Sequence, residues 1–130
     1  GPGYFHGRPS AGNYDGNNSG GSNLGPTNRK LIEAASMRAD QVRKENGLAP
    51  GAKVPSDLIL ASGSGLDPHV SLASALLQAP RIARERDIPA PRIIDLIHRS
   101  SEKQYFGVFG NPIVNILKLN IALDALDSNK

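Results

Sequence analysis

No cysteine occurs among the 130 residues, which excludes a disulfide framework, Cys–zinc sites and thiol catalysis. The redox compartment stays undecided, because cysteine-free chains occur on either side of a membrane. Histidine is also scarce, with three in all. His6, His69 and His98, taken together with Asp67, show neither an i,i+4 pair nor a clustered ligand spacing. Charge of one sign is lacking too: 15 Lys and Arg against 12 Asp and Glu leave +3, too little to predict strong non-specific nucleic-acid binding. No stretch approaches the roughly 20 apolar residues of a membrane-spanning helix. A basic-then-apolar signal peptide is absent as well. The chain opens Gly1-Pro2 without an initiator methionine, a pair that a common tag-cleaving protease leaves behind. Residues 1–2 are therefore expected to be a scar, with further natural sequence once preceding Tyr4.

What remains is enough for one domain. A chain of this size buries about 65–70% of the surface its unfolded form exposes, so a core needs no staples. Composition changes sharply near residue 27. Residues 1–27 are rich in glycine and asparagine and nearly devoid of aliphatic side chains. Glycine loses the most entropy on folding and amides bury little apolar area, so this arm cannot form its own core. It nevertheless carries Tyr4, Phe5, His6, Arg8 and Tyr14. Aromatics in such an arm predict docking, on the domain or on a partner. Residues 28–130 then read as a single globular domain.

Leu31, Ala35, Met37, Ala39 and Val42 recur at helical spacing between Thr27, a candidate N-cap, and Asn46-Gly47, a left-handed stop. Asp40 and Lys44 are spaced as an i,i+4 pair. A loop follows at 49–52. Leu58-Ile59-Leu60-Ala61 reads as a short buried strand feeding the Ser62-Gly63-Ser64-Gly65 turn. A second helix starts at Ser71, its face traced by Leu72, Ala75, Leu76, Ala79, Ile82, Ala83 and Arg86, with a kink or break expected at Pro80. Pro91 opens a third helix whose apolar face is Ile93, Ile94, Leu96 and Ile97. Residues 105–109 and Ile113 to Leu119 suggest a hairpin around Gly110-Asn111-Pro112. Asn120 then caps a last helix carrying Ile121, Leu123 and Leu126. The order helix, strand, helix, helix, strand, strand, helix predicts an α+β (mixed α/β) domain, a small sheet packed against about four helices.

Chemistry is harder to find. Ser62, Ser64, Asp57, Asp67 and His69 surround the glycine turn, but Gly63-Ser64-Gly65 lacks the spacing of a nucleophile elbow. The strand–glycine–helix order resembles a phosphate cradle, yet it matches neither the P-loop nor the dinucleotide fingerprint. Arg81, Arg84, Arg86, Arg92 and Arg99 lie on two successive helices, the arrangement of a helix-turn-helix DNA reader, though Asp and Glu interleave with them. The residues alone therefore point to a binding or structural module.

Three segments together carry a resemblance. The first is Tyr4-Phe5-His6-Gly7-Arg8-Pro9-Ser10-Ala11 with Ser19-Gly20-Gly21-Ser22-Asn23-Leu24. The second is Ala61-Ser62-Gly63-Ser64-Gly65-Leu66-Asp67-Pro68-His69-Val70-Ser71 running into Leu77-Gln78-Ala79-Pro80-Arg81. The third is Gly110-Asn111-Pro112-Ile113-Val114-Asn115-Ile116-Leu117 with Leu119-Asn120-Ile121-Ala122-Leu123-Asp124. In this order they resemble the KdpC family, the C subunit of the Kdp ATP-driven potassium pump. The resemblance implies the soluble domain of a subunit anchored in the cell membrane by one transmembrane helix, the domain lying on the extracytoplasmic face. It implies a channel-like potassium-binding partner and an ATP-hydrolysing partner of the P-type, with no nucleic acid, no metal and no catalytic residue in this chain. No tightly bound cofactor is implied; ATP would enter through the complex, whose affinity for it the subunit is proposed to raise. The family's nucleotide-contacting glutamine corresponds to Gln78. A neutral amide without a phosphate cradle or a lysine cannot offset phosphate charge. An interface role for Tyr4, Phe5, His6, Arg8 and Arg81 is therefore favoured, the alternatives being a direct nucleotide-binding domain and a helix-turn-helix DNA-binding module.

Overall fold

The computed structural model describes residues 1–9, 29–60, 68–102 and 112–128. Its elements run α1 (Arg29–Glu45), a 3-10 turn (Ser56–Leu58), β1 (His69–Ser71), α2 (Leu72–Arg86), α3 (Ala90–Ser100), β2 (Ser101–Glu102), β3 (Ile113–Asn115) and α4 (Ile116–Ser128). The fold is a small α+β domain. β3 is the central strand of a three-stranded antiparallel sheet, with β1 on one side and β2 on the other. Val70 pairs with Val114, and Ser101 faces Val114 from the opposite edge. Both valines are buried and join the helices in one core: Ala75, Ala79 and Ile82 from α2, Ile93, Leu96 and Ile97 from α3, Ile116, Leu119 and Leu123 from α4. Ile88, between α2 and α3, belongs to the same cluster, and so does Phe5 from the N-terminal segment. Ala39 and Val42 of α1 and Leu58 of the 3-10 turn are buried outside that cluster.

Helix ends follow from local chemistry. Ser71 caps α2 by accepting the Ser74 N–H. α2 ends at Asp87 in the left-handed region (φ 54°), its N–H donating to the Ala83 and Arg84 carbonyls, while the Ile88 N–H donates to Ala83 O and its side chain turns into the core. Gly47 supplies the left-handed stop after α1, at φ 66°. Asn115 Oδ1 accepts the Lys118 N–H at the start of α4.

Several expectations are corrected. Of the strand expected at Leu58–Ala61, Leu58 ends the 3-10 turn and Ile59 and Leu60 continue it as a turn: the Leu58, Ile59 and Leu60 N–H groups bond to the carbonyls of Pro55 and Ser56 just before them, and Leu60 is half exposed, while Ala61 lies outside the described residues. α2 runs unbroken through Pro80, because burial of Gln78, Ala79, Arg81 and Ile82 outweighs one lost backbone bond. Asp40 pairs with Arg43 (2.8 Å) rather than Lys44, and Met37 faces solvent. Extended backbone ends at Asn115, since the Asn115 cap starts a helix there; Asn120 is interior to α4 instead of capping it. Ile94 is partly exposed beside its buried neighbours. Thr27, the Ser62–Gly65 turn and residues 105–109 lie outside the described residues.

Asp57 fastens the 3-10 turn to the start of α2. Its carboxylate accepts the Ser71 N–H (2.7 Å), the Ser71 hydroxyl (3.1 Å) and the Ser74 hydroxyl (2.5 Å). Asp57→Ala removes acceptors from a fully buried serine and weakens a helix cap. It is expected to lower unfolding free energy by about 1–3 kcal/mol, read by urea denaturation.

Candidate functional site

Residues 1–9 form a strap across α2 and α4. Phe5 and Pro9 are its buried side chains, and Phe5 reaches the main core. Five consecutive strap carbonyls, Pro2 to His6, each accept a hydrogen bond from a side chain of the two helices. Arg81 Nε donates to Pro2 O (2.8 Å), Arg86 Nε to Gly3 O (2.6 Å), and an Arg81 terminal nitrogen to Tyr4 O. Asn120 Nδ2 donates to Phe5 O (3.1 Å) and Gln78 Nε2 to His6 O (3.0 Å). Both amides also accept from the residue they grip: the Phe5 N–H donates to Asn120 Oδ1 and the His6 N–H to Gln78 Oε1, each at 2.8 Å. Helical spacing makes this feasible, since Gln78 and Arg81 stand three apart on α2 and Asn120 and Asp124 four apart on α4.

Gln78 is 1% exposed, and its hydrogen-bonding capacity is filled within the chain. Oε1 accepts from His6 N–H and Arg81 (3.1 Å), while Nε2 donates to His6 O and to Ser74 O (3.2 Å). An amide offers two donors and two acceptor positions, so none is left for a ligand while the strap is seated. Arg81 is 3% exposed and bonds only neutral oxygens: Pro2 O, Tyr4 O, Gln78 Oε1 and Asn46 Oδ1 (2.8 Å). Burial pulls its pKa below the usual guanidinium range, with Glu45 and Glu85 opposing that at longer range. Asn46, expected only as a helix stop, thereby ties the end of α1 to α2.

Outside this centre the contacts are wetter. Arg86 stacks over the Tyr4 ring at 4.6 Å and bonds Asp124 (3.1 Å) and Asp127 (2.9 Å), and the Tyr4 hydroxyl donates to Asp124 (2.9 Å). His6 is half-buried, its Nε2 2.8 Å from Gly1 O. Burial holds its pKa below the ordinary 6.5, helped by the Arg81 and N-terminal charges and opposed by the Gly1 bond and Glu45.

The structure thus brings Tyr4, Phe5, His6, Gln78 and Arg81 into one cluster. Arg8 is half-buried on the same strap. Sequence reasoning missed Arg86, Asn120 and Asp124 as strap ligands and Asn46 as a partner of Arg81. A signal existed for Asn120, an amide set between the apolar residues Leu119 and Ile121. The arginines proposed for DNA do not share one surface: Arg81 and Arg86 hold the strap, and Arg99 pairs with Asp95 (2.9 Å). Among the described residues no group of three or more metal-ligand side chains converges, and no helix is long and apolar enough to cross a membrane.

Residues 1–125 match the sequence profile of the family described as KdpC, the c chain of K+-transporting ATPase. The chain belongs to this family. Relatives named potassium-transporting ATPase KdpC subunit include those of Nitratidesulfovibrio vulgaris, 51% identical over 97% of this chain and 65% of the relative, and Myxococcus xanthus, 50% identical over 94% and 58%. The protein of Methylococcus capsulatus is 51% identical over 96% of this chain and 67% of its own length. The chain thus spans about six-tenths of the length of the KdpC relatives it matches.

Gln78→Ala strips partners from the His6 N–H and carbonyl together and is expected to lower stability by about 3 kcal/mol, measured by thermal or urea unfolding. His6 adds a pH dependence of known sign. Its folded pKa lies below the unfolded value, so the unfolded chain takes up the proton first as pH falls. The His6 contribution is complete above the unfolded pKa of 6.5 and declines as pH drops below it. His6→Gln should flatten the stability profile across that window.

Proposed function

We propose that this chain is the extramembranous, non-catalytic part of an accessory subunit in an ATP-driven potassium-transport complex, and that it acts by docking. Family membership along nearly the whole chain carries the reading. Its partners are a channel-like potassium-binding subunit and an ATP-hydrolysing subunit, and in the parent protein a membrane anchor would hold the domain at the extracytoplasmic face. The strap supports docking over nucleotide capture. Its largest polar cluster is occupied with internal hydrogen bonds, and the outward side chain is Tyr4, 38% exposed. Aromatic side chains at such positions are usual anchors of protein contacts. Any gain in ATP affinity would then be exerted on the ATP-hydrolysing partner, not through a phosphate site here.

Two measurements test this. Labelled ATP titrated against the domain and against Gln78→Ala should bind both with the same weak, millimolar-range affinity, near the −4 kcal/mol expected of non-specific contact. Tight binding lost in the variant would overturn the docking reading. In the full-length subunit, Tyr4→Ala should reduce co-purification with the other pump subunits while costing the domain only about 1 kcal/mol, the worth of one exposed bond and one cation–π contact. Undiminished recovery would remove Tyr4 from the interface.

A further inference from the structure

The strap is held in an unusual way for a terminal segment. Its main chain is read by side chains: two amides each clasp both the N–H and the carbonyl of one residue, and two guanidinium groups take three more carbonyls. These contacts are indifferent to what side chain the strap carries. Gly3 illustrates this, since a Cβ there would meet Arg86 at 3.7–3.8 Å, ordinary contact distance. Side-chain identity enters chiefly through Phe5, 2% exposed in the core. A surface that grips consecutive peptide units and adds one aromatic pocket has the properties of a peptide-binding site.

From this we infer that α2 and α4 form a receptor for an extended peptide main chain, filled in cis by residues 1–9. The same receptor takes the strap of a second copy when its own is loosened. Gln78 and Asn120 read the backbone, Arg81 and Arg86 fix the register by their carbonyl contacts, and the Phe5 pocket sets the one side-chain requirement. The inference rests on strap geometry and is independent of any transport complex.

The test uses the full 130-residue chain and a synthetic peptide of residues 1–9 with a C-terminal fluorophore, followed by fluorescence anisotropy. Phe5→Ala in the protein removes the core anchor of the cis strap while changing no residue of α2 or α4. It should bind the peptide at least about tenfold more tightly than the native chain, whose own strap competes. N-methylation of the peptide at Phe5 and His6 removes the two clasped N–H groups and should weaken binding about tenfold or more, whereas N-methylation at Gly7, outside the clasp, should matter far less. Alanine at Tyr4, His6 and Arg8 of the peptide together should cost less than the two N-methyl groups. Adding Gln78→Ala to the Phe5→Ala protein should abolish the gain. Circular dichroism establishes that each variant is folded; if Phe5→Ala is not, Phe5→Leu, which keeps most of the buried volume, replaces it. Equal weak binding by native and folded variant chains would overturn the inference. So would a peptide that tolerates both N-methyl groups.

Discussion

A guanidinium buried without a carboxylate in contact is the constraint around which this domain is arranged. Removing a charge from water is expensive unless hydrogen bonds replace the lost solvent. Arg81 meets that requirement with four neutral oxygens, two from strap carbonyls, one from Gln78 and one from Asn46 at the end of α1. The strap is therefore half of the solvation shell of Arg81, and Arg81 supplies two donors to the strap. Each depends on the other. The dependence extends to α1, whose terminal Asn46 is positioned by the same nitrogen that needs it.

Phe5 supplies the apolar half of this arrangement. The amides and arginines position the strap but gain little net free energy, since every bond they make replaces one to water. Burial of a phenyl ring in a core shared with α2, α3 and α4 adds a few kcal/mol that hydrogen bonding alone does not. Polar clasps then fix direction and register. That division explains how residues 1–9 are seated: one aromatic residue contributes the affinity and the helices contribute the geometry.

Much of the element order was legible because apolar periodicity reports helices directly. α1, α2 and α3 appear where the spacing of Ala39 and Val42, of Ala75, Ala79 and Ile82, and of Ile93, Leu96 and Ile97 puts them. Errors arose where local chemistry competes with composition. The β-branched start of Ile113–Leu119 suggests a strand throughout, yet the amide of Asn115 begins a helix midway. Leu58–Leu60 has the apolar run of a strand, yet its N–H groups turn back to the Pro55 and Ser56 carbonyls. The strap was marked as dockable by Tyr4 and Phe5, but its receptor could not be read. Its contacts span 72 to 120 residues, and neither spacing nor composition encodes which distant amide meets which carbonyl.

Gln78 shows how one residue can look like a ligand site for reasons internal to the fold. A buried glutamine on an apolar helix face demands four partners, and a surrounding that supplies four is restrictive. Replacing it with glutamate would exchange the donor on His6 O for an acceptor and set an anion beside Arg81. Replacing it with leucine would leave both polar groups of His6 unanswered. Its four hydrogen bonds hold the main chain at His6 and join Gln78 to Ser74 and Arg81. A ligand seeking the same amide must first displace the strap, and displacement uncovers Phe5 and takes two acceptors from Arg81. Occupation of Gln78 from outside and integrity of the core are therefore opposed.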